Sequence, residues 1–93
     1  VSAVAQGNIV FVMFNGVEVD SASKTLVGKI TNPNFYPFTD TLGTVLADKT
    51  RGLSVSFSHI ASAFAKVETD GSIYINPLHF DGLVWAGTLI YLI

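Results

Sequence analysis

The chain contains no cysteine. It can therefore form no disulfide bond and offers no thiolate for catalysis or metal binding, and its redox compartment stays undetermined. Its 93 residues are enough for one compact domain but not for two. A domain of this size buries only roughly 60% of the surface that its unfolded chain exposes, so its own core must be modest.

Charged side chains are also scarce. They make up 13% of the chain, about half of the roughly 25% found in an average soluble domain. Hydrophobic residues make up 49%, which is more than one small interior can hold, and large exposed apolar patches mark contact sites. The composition therefore predicts that further surface is buried between chains. The alternative is a monomer whose surface is neutral and rich in serine and threonine.

Two further absences exclude classes of partner. The five lysines and arginines are scattered along a chain of net charge −2, so the clustered cations that bind nucleic acid are missing. No apolar run reaches the roughly 18–20 residues of a transmembrane helix; the longest is residues 82–93. We therefore expect no nucleic-acid partner and no membrane span, and no signal peptide is recognisable at the start.

What the sequence does contain is a series of short apolar segments separated by turn residues. Alternation with period two is clearest in residues 53–58 and is typical of strands. Asn15-Gly16 lies between two apolar runs and predicts a hairpin that returns through residues 17–19. The predicted fold is all-β, a small antiparallel sandwich or partly open barrel in a single domain spanning residues 1–93, with residues 1–8 as a candidate flexible arm. Strands are also predicted at 9–14, 24–31, 41–47, 72–75 and 82–93.

Residues 59–67 fit either a helical turn or a strand. Their alanines and the spacing of their large apolar residues favour a helix, whereas Thr69-Asp70-Gly71 is a hairpin turn that would follow a strand. We favour a strand at residues 62–68, with one short helix near 59–65 as the alternative. Two prolines make residues 32–38 a predicted loop, because proline removes a donor from the strand ladder.

The first and last strands are apolar on both faces. A strand of this kind must be covered on both faces, whereas a small sandwich covers one face of each sheet. The missing cover is another subunit, a local helix or a bilayer. Gly87 lies between large residues, where we expect it to let another backbone approach closely. In the first strand, one face carries Ile9, Phe11 and Met13 and the other carries Val10, Val12 and Phe14. In the last strand, one face carries Leu83, Trp85, Leu89, Tyr91 and Ile93 and the other carries Val84, Ala86, Ile90 and Leu92.

Catalysis and metal binding have little support in the sequence. The two histidines are His59 and His79, and Ser58 would point to the opposite strand face from its neighbour His59. The carboxylates at positions 18 and 20, and at 68 and 70, lie beside turns without the calcium-loop pattern of an EF-hand. We therefore expect no enzyme activity, no catalytic residue, no cofactor and no metal site.

Aromatic and large apolar side chains are the remaining candidates for function. Three aromatics lie in the proline-containing loop, where they suit a hydrophobic plug against a neighbouring chain, and Trp is enriched among interface hot spots. The alternative is a lectin-like site in which loop aromatics and Trp85 stack on sugars, although few polar side chains lie nearby in sequence to orient the hydroxyls. The predicted interface comprises Phe35, Tyr36, Phe38, Trp85, Leu89 and Tyr91.

The end of the chain carries a family resemblance. The segment Trp85-Ala86-Gly87-Thr88-Leu89-Ile90-Tyr91-Leu92-Ile93 resembles the chain terminus of lambda-type phage head decoration proteins, which also end in an aromatic-Ala-Gly-Thr segment followed by apolar residues. Leu46-Ala47-Asp48-Lys49-Thr50 followed by Leu53-Ser54-Val55-Ser56-Phe57 is similar to a middle segment of that family. Ser23-Lys24-Thr25-Leu26-Val27 is a third similarity. The first two of these similarities together cover about a fifth of the chain.

The resemblance implies a trimeric, β-rich cement protein on a viral capsid, without enzymatic activity. The family carries a long flexible N-terminal arm, whereas this chain has the apolar segment 9–19, so the mode of attachment stays open and no site residue is transferred.

We expect a non-enzymatic structural subunit of a homo-oligomeric assembly, most specifically a virion capsid decoration or coat component. Its partners would be copies of itself and a capsid or filament lattice, at the virion surface or outside the cell. The alternatives are a self-assembling, pilus-like extracellular filament subunit and a small lectin-like adhesin.

Overall fold

The fold consists of seven β-strands joined in one sheet. The computed structural model describes residues 1–19, 23–50, 62–77 and 83–93, and among these the one helical element is a 3-10 turn, Pro33–Phe35. The strands are β1 (Ser2–Gln6), β2 (Ile9–Val19), β3 (Thr25–Lys29), β4 (Thr41–Thr50), β5 (Ser62–Val67), β6 (Ser72–Asn76) and β7 (Leu83–Leu92).

Neighbouring strands are antiparallel throughout, in the order β1-β2-β7-β4-β5-β6-β3. Strand β4 belongs to two ladders: its first half pairs with β5 and its second half with β7. Leu46 is the point of change, since it lies opposite both Ser62 and Ala86. The sheet curls into a half-barrel. The curl brings β1 towards β3, so that a Cβ built on Gly28 would lie 3.6 Å from the Cβ of Val1.

The hydrophobic core fills the inside of this curl. Alternate residues of a strand point to the same side, and the pairing of β2 with β7 therefore places Val10 opposite Tyr91 and Val12 opposite Leu89. All four are buried. The prediction of an all-β domain, a sandwich or a partly open barrel, is confirmed. Strands β4, β5 and β6 contribute Val45, Ala63, Ala65, Val67, Ile73 and Ile75 to the same core.

The hairpin predicted at Asn15-Gly16 was wrong. Strand β2 continues through both residues, and its register with β7 shifts between Phe14 and Val17, so the pair forms a bulge. Gly16 has a φ of 66°, a conformation that glycine adopts without strain. The hairpin lies instead at Gly7-Asn8, where Gly7 has a φ of 60°. It joins β2 to β1, which occupies most of the candidate flexible arm.

Most of the other strands form where the sequence predicted them. Strands β3, β5, β7 and β6 form where the sequence predicted strands, although β6 continues one residue further, to Asn76. Strand β4 runs to Thr50, beyond its predicted end at Ala47, with a register shift after Ala47. Residues 62–67 are strand rather than helix. The strand predicted at 53–58, and the start of the alternative helix at 59–61, lie outside the described residues.

The hairpin turn predicted between β5 and β6 is confirmed. The backbone N–H of Gly71 donates to the carbonyl of Glu68, and the N–H of Glu68 donates to the carbonyl of Ser72. The Asp70 carboxylate accepts the backbone N–H of Ser72 at 2.9 Å, and this bond lowers the pKa of Asp70. Gly71 has a φ of 85°, so the left-handed conformation at this position explains the glycine.

Gly87 allows the close approach that the sequence predicted. A Cβ built there would lie 3.1 Å from Cγ1 of Val45 and 3.3 Å from both the Val45 Cα and the Thr44 carbonyl oxygen. Two of these three atoms belong to the backbone of β4, which cannot rotate aside as a side-chain end can. The glycine therefore permits the short distance between β4 and β7 in the middle of the sheet.

Replacing Gly87 with Ala should destabilise the fold by about 1–2 kcal/mol, since overpacking against fixed neighbours typically costs this much. Gly28→Ala is the matched control, because its added Cβ would make contacts of 3.6–3.8 Å, all with side chains. Reduced chain entropy should leave that variant neutral or slightly more stable. Urea unfolding of both variants measures the difference. Equal stabilities would show that the approach of β4 to β7 does not constrain position 87.

Candidate interaction surface

Three of the predicted interface residues lie in the core of the chain itself. Trp85, Leu89 and Tyr91 share the inward face of β7 and are buried, because they follow one another at intervals of two or four residues along the strand. The indole N–H of Trp85 has no acceptor among the described residues. In a single copy these three side chains are therefore enclosed, and their contact with a neighbouring chain stays a prediction.

The loop aromatics divide into two groups. Phe35 and Tyr36 pack against the core, and the Tyr36 ring lies over Gly71, where a Cβ would be 2.5 Å from its Cε1 atom. The Tyr91 hydroxyl donates a hydrogen bond to the carbonyl oxygen of Phe35, which ties the loop to β7. Phe38 points away and is 83% exposed. The loop therefore plugs its own subunit and leaves Phe38 available to others.

Where β1, β2 and β7 lie side by side, their outward residues form an array of three rows. Glu18 of β2 is exposed and pairs with Val84 outside these rows. Val4, Phe11 and Ile90 lie side by side in the central row, because Val4 pairs with Phe11 and Phe11 with Ile90. The same pairings produce the two outer rows. We call this array the uncharged face; it comprises Ser2, Met13 and Thr88, then Val4, Phe11 and Ile90, then Gln6, Ile9 and Leu92.

The uncharged face is apolar and open to solvent. Val4 is 45% exposed, Ile90 56% and Leu92 63%, and Ile9, Phe11 and Met13 are half-buried. None of the nine residues carries a charge. The alternation in β2 and β7 predicted two of the three strands of this face, but Val4 was not predicted. The signal for it is Gly7-Asn8, a pair typical of hairpins, which places residues 2–6 beside β2.

The other half of the outward surface differs in charge. Leu26, Leu42 and Phe64 are exposed there, and a shallow cavity of about 300 Å³ lies between Leu42, Phe64 and Tyr74, with Lys24, Lys66 and Asn76 completing its lining. The Lys24 ammonium lies 4.1 Å from the centre of the Tyr74 ring. Cations therefore flank the apolar side chains in this half, in contrast to the uncharged face.

These cations are already paired with carboxylates. The Glu68 carboxylate lies 3.2 Å from the Lys66 ammonium and 3.4 Å from the Lys24 ammonium. The Asp40 carboxylate lies 3.3 Å from the Lys66 ammonium. The hydrogen bond from Lys66 to Glu68, followed by that to Asp40, raises the pKa of Lys66. Such surface pairs add little stability. Their effect is to neutralise one another, so the four described side chains Lys24, Lys66, Asp40 and Glu68 carry no net charge.

No family model matches this chain, and no curated protein or solved structure is similar enough to count as a match. The resemblance to phage head decoration proteins therefore stays a prediction. Within the described ranges, no helix is long and apolar enough to cross a membrane, and no three metal-ligating side chains lie together. Both histidines fall outside those ranges, so the expectation that the chain is not an enzyme also stays a prediction.

Replacing Tyr91 with Phe should lower the free energy of unfolding by about 1 kcal/mol, because the bond to the Phe35 carbonyl is lost. Burial raises the pKa of Tyr91 above its ordinary value of 10.0. The folded chain therefore holds this proton more tightly than the unfolded chain, and the resulting stability is lost as the pH rises above about 10. Urea unfolding at about pH 8 and about pH 11 should show the gap between the two proteins shrinking. A gap independent of pH would contradict the assignment.

Proposed function

We propose that the chain is a non-enzymatic structural subunit of a homo-oligomeric assembly, with a virion capsid decoration or coat component as the most specific form of the proposal. The observation that carries it is the uncharged face, where a three-row array of apolar and neutral side chains is left open on the longest strands. Burying such a surface is favourable by roughly 25 cal/mol per Å² of apolar area. In a single chain this area stays in contact with water.

A second copy fits the chemistry of this face better than a charged partner does. A charged surface brought against the face would lose its hydration without gaining an ion pair, because Ser2, Gln6 and Thr88 are its most polar members and unpaired buried charge is costly. An equally neutral, apolar surface avoids that cost. The low charge of the whole chain, 13%, supports copies of the chain as the source of such a surface.

The resemblance supplies the viral part of the proposal. The segment of residues 85–93 that resembles the terminus of phage head decoration proteins coincides with most of β7 (Leu83–Leu92), the strand that carries one side of the uncharged face. An extracellular filament subunit is the alternative that shares the same surface. The lectin-like hypothesis has less support, because Phe35 and Tyr36 pack on the core and Trp85 is buried. Of the aromatic residues in that site, Phe38 is the exposed one.

Adjacent residues of β7 test the proposal directly. Leu89 is 4% exposed and Ile90 is 56% exposed, so Leu89→Asp should unfold the chain, since loss of the buried leucine alone costs about 2–5 kcal/mol and the buried charge adds to this. Ile90→Asp should leave the fold intact and reduce the assembled mass. Circular dichroism follows folding, and sedimentation velocity follows the assembled mass.

Leu42→Asp is the control for charge on the surface, because Leu42 is 70% exposed on the other half of the sheet and should leave assembly unchanged. An Ile90→Asp variant that assembles like the unmodified chain would refute the role of the uncharged face. Electron microscopy of the native source then separates capsids from filaments.

A further inference from the structure

The two edges of the sheet differ in how they are protected. At one edge, β1 reads Ser-Ala-Val-Ala-Gln, without charge or proline. It pairs with β2 over five consecutive residue pairs, from Ser2 with Met13 to Gln6 with Ile9, without a register shift. Among the residues that the structure describes, no strand pairs with its other side. A straight, neutral edge of this kind is a template for pairing with another strand.

The opposite edge carries two of the devices that prevent such pairing. The register of β3 with β6 shifts between Leu26 and Gly28, which is a bulge, and Lys24 and Lys29 stand at either end of the strand. Bulges and lysines on an edge both disfavour the addition of a strand. The difference between the edges makes β1 the one suited to pairing.

The curl of the sheet brings β3 close to β1, but the two strands are not paired in the part of the chain that the structure describes. Ala3 and Ala5 of β1 pair with the buried residues Val12 and Val10, so side chains at odd positions point inwards. Val1 is also at an odd position, and it lies near Gly28 of β3. The contact between β3 and β1 is therefore made by side chains, and within the described ranges no strand takes up the hydrogen bonds of the outer edge of β1.

We infer that β1 of one copy pairs antiparallel with β1 of a second copy, about a two-fold axis at Val4. The inference rests on the proposed self-assembly and names the contact through which it begins. In this register Val4 lies opposite its own equivalent, Ala3 opposite Ala5, and Ser2 opposite Gln6. Every pair is uncharged, and the central pair joins two β-branched valines, which pack well across strands, so the edge is complementary to itself.

The pairing also makes the two uncharged faces continuous. A two-fold axis between antiparallel strands stands perpendicular to the sheet, which keeps the outward sides of both copies on the same side. The central row of Val4, Phe11 and Ile90 then continues into the same row of the partner. The paired subunits offer one neutral surface of twice the width for contact with further copies or a lattice.

Pairing through β1 stops at two copies. Each copy contributes its one unprotected edge, and both outer edges of the joined sheet are then β3, with its bulge and lysines. A contact of this isologous type closes on itself, whereas filaments need a head-to-tail contact. The inferred contact therefore favours a closed pair as the building unit over a filament held together by strand pairing.

The absence of cysteine allows a specific test by crosslinking. Val4→Cys places one thiol on each copy, about 4.5–5.5 Å from its equivalent across the two-fold axis. A short thiol-to-thiol crosslinker should convert this variant into a covalent dimer. Leu26→Cys is the matched control, since Leu26 is an outward-facing, exposed residue of the opposite edge strand and should crosslink several-fold less under the same conditions.

Oppositely charged variants provide a second measurement. Val4→Lys and Val4→Glu should each lose the pair through repulsion of like charges, and an equal mixture of the two should regain it. Assembly of the unmodified chain without preferential crosslinking at position 4 would overturn the strand pairing and leave the proposed function standing. An unmodified chain that stays monomeric would overturn both.

Discussion

The pairing of β2 with β7 is the interaction on which the rest of the structure depends. It is the longest ladder of the sheet, running from Ile9 with Leu92 to Val19 with Leu83, and each strand is apolar on both faces. Because successive side chains of a strand alternate between its faces, the pairing that buries Val10, Val12 and Leu89 must also turn an apolar row outwards. A curled sheet of one layer can enclose one of these faces, and the other is left exposed in a single copy.

Charge is distributed so that the two halves of the outer surface have different properties. Lys24, Lys66 and Glu68 are linked by ion pairs around a shallow cavity at one end of the sheet. The rows centred on Phe11 carry no charge. The first half thus carries balanced charges, whereas the uncharged face has Ser2, Gln6 and Thr88 as its most polar members. This asymmetry, rather than the total apolar content, identifies which part of the surface is suited to a contact between copies.

The sequence was sufficient for the regular strands because their signals are local. Turn residues between β5 and β6, the alternation in β2 and the small residue at Gly87 each led to a prediction that the structure confirms. Asn15-Gly16 was misread because the same glycine conformation serves a turn and a bulge, and the choice depends on whether β7 continues alongside. That is a property of pairing between distant segments, which local patterns do not contain.

The positions of the predicted interface residues also depend on pairing between distant segments. Trp85, Leu89 and Tyr91 were correctly seen to share a face, but which face turns inwards depends on the curl of the sheet and on β4, β5 and β6. Phe35 and Tyr36 form a plug, as their loop suggested, yet it closes their own core through the bond from Tyr91. The contact of these residues with a neighbouring chain stays a prediction, and the outward Ile90 and Leu92 are better placed for it.

We propose that the chain associates with further copies that cover its uncharged face. Sedimentation equilibrium of the unmodified protein at micromolar concentrations tests it most directly, because the measured mass is independent of shape. Self-association predicts a mass that is a multiple of 9.9 kDa and falls towards that value on dilution. A soluble, stably folded species of 9.9 kDa throughout the concentration range would contradict it.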